Sequence, residues 1–203
     1  MSTLNAQQDT LVTYLDPYGA PGTPVQPYEC RLEVSPNPAI ALLNNSYVDA
    51  DAFLEDVSDV IARSIPGAAF APFDKGSGRN AADMTSPDII ADIASRYDAV
   101  LLAYGHCGSC TASLVRDAVV LAQTGVPVVA MVTSTFAEEA AFVARASGLP
   151  DLPMVILPYP MAGEAPEFHK AVAANVAPQI LRALTTGQVA ATETSSNVTA
   201  AAA

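Results

Sequence analysis

Ala99-Val100-Leu101-Leu102-Ala103-Tyr104-Gly105-His106-Cys107-Gly108-Ser109-Cys110-Thr111 reads as a buried strand running into a cysteine turn. A helical pattern, Ala112 to Thr124, follows at once. The run is continuously apolar rather than alternating, as a strand covered on both faces requires. Two of the three cysteines of the chain sit in this one turn. A thiol pair between strand and helix is a place for sulfur chemistry, because a helix N-terminus favours the thiolate.

The same unit repeats on either side. Upstream, Ala39-Ile40-Ala41-Leu42-Leu43 is a short apolar run ending in Asn44-Asn45-Ser46. A helix is expected from about Asp49 to Ser64, with Phe53, Leu54, Val57, Val60 and Ile61 on one face. Pro66-Gly67 stops it, and Ala68-Ala69-Phe70-Ala71 reads as a weak strand. Ser86-Pro87 has the form of an N-cap with proline at the first helical position, opening a helix to about Arg96. Downstream, Pro127-Val128-Val129-Ala130-Met131-Val132 is a strand ending in Thr133-Ser134-Thr135. Phe136 to Ser147 is helical, Met154-Val155-Ile156-Leu157 is a fifth strand, and Pro166 to Leu184 is a last helix.

Five strand–helix units in alternation predict a parallel sheet with helices on both faces, a three-layer α/β/α domain over 39–186. The leading expectation for its strand order is the flavodoxin-like 2-1-3-4-5. Residues 1–38 read as a proline-rich arm. Within it, Leu11-Val12-Thr13-Tyr14-Leu15 has the form of a short strand, Asp16 to Gly22 is turn chemistry, and Glu29 to Val34 alternates weakly enough to pair on a sheet edge. Residues 187–203, rich in Ala, Thr and Ser, have nothing to bury and are expected to be disordered.

Composition narrows the function. Half of the residues are hydrophobic, so a full core is attainable without disulfides. The net charge of −12 argues against nucleic acid and anionic membranes, since phosphate binding needs Lys and Arg. Met1 to Asp9 is polar and lacks the apolar stretch of a secretory signal, and no apolar run reaches the ~18 residues of a membrane span. Three cysteines do not make a disulfide scaffold, so a reduced cytoplasm is expected.

In an open parallel sheet, ligands bind beyond the carboxyl ends of the strands, where the strand order switches. In the 2-1-3-4-5 order that point lies between the first and third strands. Cys107 and Cys110 are therefore expected to share a crevice with Asn44, Asn45 and Ser46, with Gly108, Ser109 and Thr111 of the same turn, and with Thr133 and Ser134 of the fourth strand. Gly108 would let the backbone approach a ligand, and Ser109 could cap the helix or donate to substrate. A nucleophilic thiolate at Cys107 with a resolving thiol at Cys110 is chemically coherent. His106 is the candidate acid beside them. Two buried, inert cysteines would be the alternative. A structural zinc site needs four ligands, and no second Cys-x-x-Cys exists, so no metal is expected. Lys75-Gly76-Ser77-Gly78-Arg79 suggests anion contact but lacks the P-loop spacing. Asp117 reads as solvated, His169 as a surface residue, and Cys30 as packing.

Cys107-Gly108-Ser109-Cys110-Thr111 resembles the signature of the UGSC family of (seleno)proteins. There, selenocysteine-Gly-Ser-Cys-Thr follows an apolar strand and precedes a helix with Asp-Ala-Val and a Gly-hydrophobic-Pro turn. Asp117-Ala118-Val119 and Gly125-Val126-Pro127 fall in those places, and Ala41-Leu42-Leu43-Asn44-Asn45-Ser46 is similar to that family's first strand and turn. More distantly, the motif is similar to the selenocysteine-Gly-Thr-Cys-Thr site of the selenoprotein B subunit of glycine, sarcosine and betaine reductases. In those enzymes the selenolate attacks a substrate carbon and reductively displaces a nitrogen leaving group. The resemblance implies that Cys107 stands where selenocysteine stands and that Cys110 is the second motif thiol.

The expectation is a cysteine-dependent enzyme that cleaves a carbon–heteroatom bond of a small molecule by nucleophilic or reductive chemistry. It would need no bound cofactor and would draw on an external thiol or protein reductant. A thiol-disulfide or peroxide reductase is the first alternative. A non-catalytic subunit that binds a small molecule or docks on a larger enzyme is the second. A partner subunit or a second copy of the chain belongs to the expectation as well.

Overall fold

The computed structural model describes residues 23–33 and 35–189. Strands and helices alternate along it: β1 (Ala39–Asn44), α1 (Ala50–Ser64), β2 (Ala69–Phe73), α2 (Pro87–Arg96), β3 (Ala99–Gly105), α3 (Gly108–Gln123), β4 (Val128–Thr133), α4 (Ala137–Ala146), β5 (Met154–Leu157) and α5 (Pro166–Thr186). A 3-10 turn, Ser134–Phe136, leads into α4. The five strands form one sheet in the order β2-β1-β3-β4-β5, and every neighbouring pair is parallel. This is the expected three-layer α/β/α arrangement.

Burial explains the pattern. Every residue of β3 and β4 is buried, so alternation has no purpose there, and both strands are apolar from Ala99 to Ala103 and from Val128 to Val132. Ile40, Leu42, Leu101, Val129 and Val155 pack on one face against α1 and α5. Ala41, Leu43, Val100, Leu102, Val128 and Ala130 pack on the other against α2, α3 and α4. Helix α1 buries Phe53, Leu54, Val57 and Ile61 as one stripe, each worth roughly 1.5–3 kcal/mol of burial. The edge strand β2 is half-covered and includes Pro72, which an edge tolerates.

Two elements differ from expectation. Helix α3 begins at Gly108 rather than Ala112, because Cys107 is already its N-cap: the sulfur takes the place of a capping oxygen and accepts from the Cys110 N–H at 3.3 Å. Residues 29–33 form no strand. They run across the base of the domain, where the Leu32 N–H donates to the Leu184 carbonyl at the end of α5. The phenol of the buried Tyr28 donates to the Val128 carbonyl at 3.2 Å and accepts from the Val128 N–H at 2.8 Å, and Cys30 donates to the Ala122 carbonyl. These contacts lie at the amino end of β4, the end of the sheet opposite the cysteine turn. The expected strand at Leu11 to Leu15 and the turn at Asp16 to Gly22 lie outside the described residues; of the tail expected to be disordered over 187–203, Gly187 closes α5 and Val189 packs on the core, and the rest lies outside them.

Candidate active site at the Cys107 turn

β1 and β3 lie side by side, with Asn44 paired to Ala103, so the turns that leave them meet at the carboxyl edge of the sheet. β4 flanks β3 on the other side with an irregular register between Leu102 and Gly105. A Cβ added to Gly105 would stand 2.6 Å from the Thr111 hydroxyl. Glycine there lets the first turn of α3 close directly onto the strand.

The two thiols are unequal. Cys107 is half-buried and Cys110 is buried. The Cys110 sulfur accepts from the Cys107 N–H at 2.8 Å and the His106 N–H at 3.3 Å, and its thiol donates to the Cys107 carbonyl at 3.1 Å. Burial, then the hydrogen bond with Cys107, push the Cys110 thiol up to about 11. Burial alone would raise Cys107 too. The side chain and amide of Cys110, with the Ser109 hydroxyl 3.7 Å away, outweigh it and hold Cys107 below the ordinary thiol value. One turn thus contains a thiol inclined to ionise and a second that stays protonated at neutral pH.

The ring of His106, the candidate acid, is fixed in place through one of its nitrogens. Its Nε2 accepts from the Met161 N–H at 3.1 Å and the Ala162 N–H at 3.4 Å, so that nitrogen carries no proton. Burial pushes its pKa down. The ring is stacked between Tyr47, at 5.1 Å, and Tyr159, at 4.7 Å. Among the described contacts it makes no hydrogen bond to Cys107. His169, expected at the surface, is buried, and its Nε2 lies 2.7 Å from the Met161 carbonyl. The two histidines thus hold the segment after β5 from both sides of one residue.

The polar residues expected around the thiols divide into two groups. Ser46, Ser109 and Ser134 are exposed, and Asn44 and Gly108 are half-buried. Asn45, Thr111 and Thr133 are buried. Asn45 donates to the Tyr104 carbonyl at 2.8 Å and accepts from the Tyr47 N–H, tying the β1 turn to β3. Thr133 donates to the Gly105 carbonyl at 2.8 Å, tying β4 to the end of β3. The Thr111 hydroxyl lies sealed against Gly105 with no partner. These three support the turn from beneath rather than line its surface.

The Lys75–Arg79 loop supplies no free anion site at Lys75. The Lys75 ammonium is fully buried and donates to the Asp83 carbonyl at 2.6 Å, the Ser113 hydroxyl at 2.7 Å and the Ala81 carbonyl at 3.3 Å. Asp117, expected in solvent, lies 3.5 Å from it and is equally buried, accepting from the Thr85 N–H and hydroxyl. Burial pushes Lys75 down and Asp117 up, and each charge partly offsets the shift of the other. Ser113 also donates to the Cys110 carbonyl at 3.2 Å. The network fastens the 74–86 loop to α3 directly behind the buried thiol. Arg79 donates to the Met84 carbonyl within the same loop.

Two residues absent from the sequence reading stand at the site. Tyr47 stacks on His106, and its phenol is raised first by burial and then by the charges of Cys107 and Cys110. Glu139, in the first turn of α4, faces Gly108: a Cβ on that glycine would lie 3.4 Å from both carboxylate oxygens. Neither has a sequence spacing that points to the cysteines. The nearest signal for Tyr47 is its place directly after the Asn44-Asn45-Ser46 turn.

A surface cavity of about 300 Å³ is lined by Asn44 together with Asp51, Glu55, Phe73 and Asp74, on the β2 side of the β1 turn. Among the described residues, no three His, Cys, Asp or Glu side chains gather as a metal site, and no helix is long and apolar enough to cross a membrane. The model of the UGSC family matches residues 13–186. No curated protein matches the chain.

Proposed function

The chain belongs to the UGSC family, and from that premise we propose that it is a cysteine-dependent enzyme that reductively cleaves a carbon–heteroatom bond in a small molecule. The observation that carries this reading is the inequality of the two thiols. Cys107 caps α3, is half-exposed and is held low, whereas Cys110 is buried and pushed up to about 11.

The chemistry follows from that order. The Cys107 thiolate attacks the electrophilic carbon of R–X; a sulfur–carbon bond forms, the carbon–X bond breaks, and X leaves with the electron pair and takes up a proton. Cys110 then gives up its proton and attacks the Cys107 sulfur. A disulfide forms, the carbon–sulfur bond breaks, and R leaves with the pair and a proton. The sum is R–X plus two thiols giving R–H, H–X and a disulfide. An external thiol or protein dithiol returns the pair to its reduced form.

The first test is alkylation by iodoacetamide near neutral pH, with the modified cysteine located by peptide mapping. Cys107 should react well ahead of Cys30, whose thiol burial pushes up. Equal rates would remove the activated nucleophile and this reading with it. Thiol-disulfide exchange is the second reading, favoured by the half-exposed Cys107 with a second thiol in the same turn. Its mark would be turnover of generic disulfides with a reversible 107–110 bond. Cytoplasmic residence is part of the proposal, because the dithiol must be returned to its reduced form.

A further inference from the structure

We infer that Glu139 makes the Cys107 site selective by charge, admitting neutral or cationic electrophiles and turning away substrates with an anionic group beside the reacting carbon. The inference rests on the nucleophile reading and adds the class of substrate.

The geometry is specific. Gly108 is the first residue of α3, and the Glu139 carboxylate lies beside it, with both oxygens 3.4 Å from where a Cβ would stand, an ordinary contact distance. A helix N-terminus is ordinarily a seat for an anion, equivalent to about half a positive charge. Here two negative groups, the Cys107 thiolate and the Glu139 carboxylate, share that half charge. Neither cation of the loop behind the turn is free to reverse the balance. Lys75 is buried against Asp117, and Arg79 is bonded to its own loop. His106 accepts hydrogen bonds at Nε2 rather than presenting a positive ring. Among the described residues the ion pairs are Lys75–Asp117 and Arg96–Asp92, so no partner neutralises Glu139. A carboxylate or phosphate brought to the thiolate would meet a net negative field. A neutral molecule would not, and a cation would be drawn in.

Paired alkylating reagents read this directly. Iodoacetamide and iodoacetate undergo the same reaction: the thiolate sulfur bonds to carbon, the carbon–iodine bond breaks, and iodide leaves with the electron pair. They differ by one negative charge near the reacting carbon. The ratio of their rates at Cys107 is measured on the full chain and compared with the ratio for N-acetylcysteinamide. The expected ratio at Cys107 is about three- to tenfold higher than for the free thiol. Glu139→Gln should return it close to the free-thiol value, Glu139→Asp should keep most of it, and Glu138→Gln, one residue away, should leave it unchanged. A wild-type ratio equal to that of the free thiol overturns the inference. So does a ratio that survives in E139Q, or one that E138Q abolishes equally, since the cause would then be general surface charge. Failure of the nucleophile reading looks different: Cys107 would then react with iodoacetamide no faster than Cys30.

Discussion

Cys107 and Cys110 have the same side chain three positions apart and opposite tendencies. Cys110 is buried under the turn, where the low dielectric penalises its anion more than the amides of His106 and Cys107 favour it. Cys107 is at the cap, half in solvent, and collects donors. The pH dependence follows in sign. A lowered thiol pKa places more thiolate at neutral pH, so the alkylation rate of Cys107 should rise with pH through a midpoint below the ~8.5 of a free thiol and then level off. Cys110 is a main source of that lowering. Cys110→Ala should move the midpoint of the rate profile upward and slow alkylation at pH 7, with Cys110→Ser, which keeps a donor, falling between. Rate–pH profiles of the three proteins check this. An unmoved midpoint in C110A would mean that the cap geometry alone activates Cys107.

Helix α3 is the element on which the site depends, and it is held at both faces of its first turns. On the strand side, Gly105 admits Thr111. On the loop side, Lys75, Asp117, Thr85 and Ser113 form a buried network that ends on the Cys110 carbonyl. Breaking a buried ion pair by removing one member leaves a charge with no compensation, typically at a cost of about 3–5 kcal/mol. Lys75→Met should therefore lower stability by about that amount in chemical denaturation. The double replacement Lys75→Met with Asp117→Leu should recover much of the loss. If the double variant is no more stable than the single, the pair is not the unit of stabilisation. The loop motif Lys75-Gly76-Ser77-Gly78-Arg79 and the helix residue Asp117 look unrelated in the chain. They meet because the loop between β2 and α2 packs on α3, which no local pattern announces.

Across the whole molecule, the sheet separates a chemical edge from a structural base. The cysteine turn, the β1 turn and the segment after β5 meet at the carboxyl edge. Tyr28 and its neighbours close the amino end. Tyr28→Phe removes a hydroxyl that both donates to and accepts from Val128, and should cost about 1–3 kcal/mol. It should leave the alkylation rate of Cys107 unchanged, because the two ends share no contact through Tyr28. Parallel melting and alkylation measurements would test that separation, and a slowed Cys107 in Y28F would refute it.

The order of elements was legible in the amino-acid sequence because each strand and helix is specified by its own hydrophobic period and end signals. Continuous apolar runs gave buried parallel strands, and topology alone placed the Cys-Gly-Ser-Cys turn after β3 at the carboxyl edge of the sheet. The orientation of individual side chains was not legible. Asn45, Thr111 and Thr133 read as crevice residues because of their place at the ends of strands and at the cysteine turn, yet Asn45 is turned onto the Tyr104 carbonyl, Thr111 is packed against Gly105 by the first turn of α3, and Thr133 is bonded to the Gly105 carbonyl. Glu139 reads as an ordinary first-turn acid of α4, and it reaches Gly108 only because β4 packs beside β3 and delivers α4 against α3. The sequence by itself determined which residues form strands and helices and that the thiols lie at their junction, since those depend on neighbours in the chain. The tertiary structure decided which groups surround Cys107, and so the direction of its ionisation, since burial and charge depend on neighbours in space.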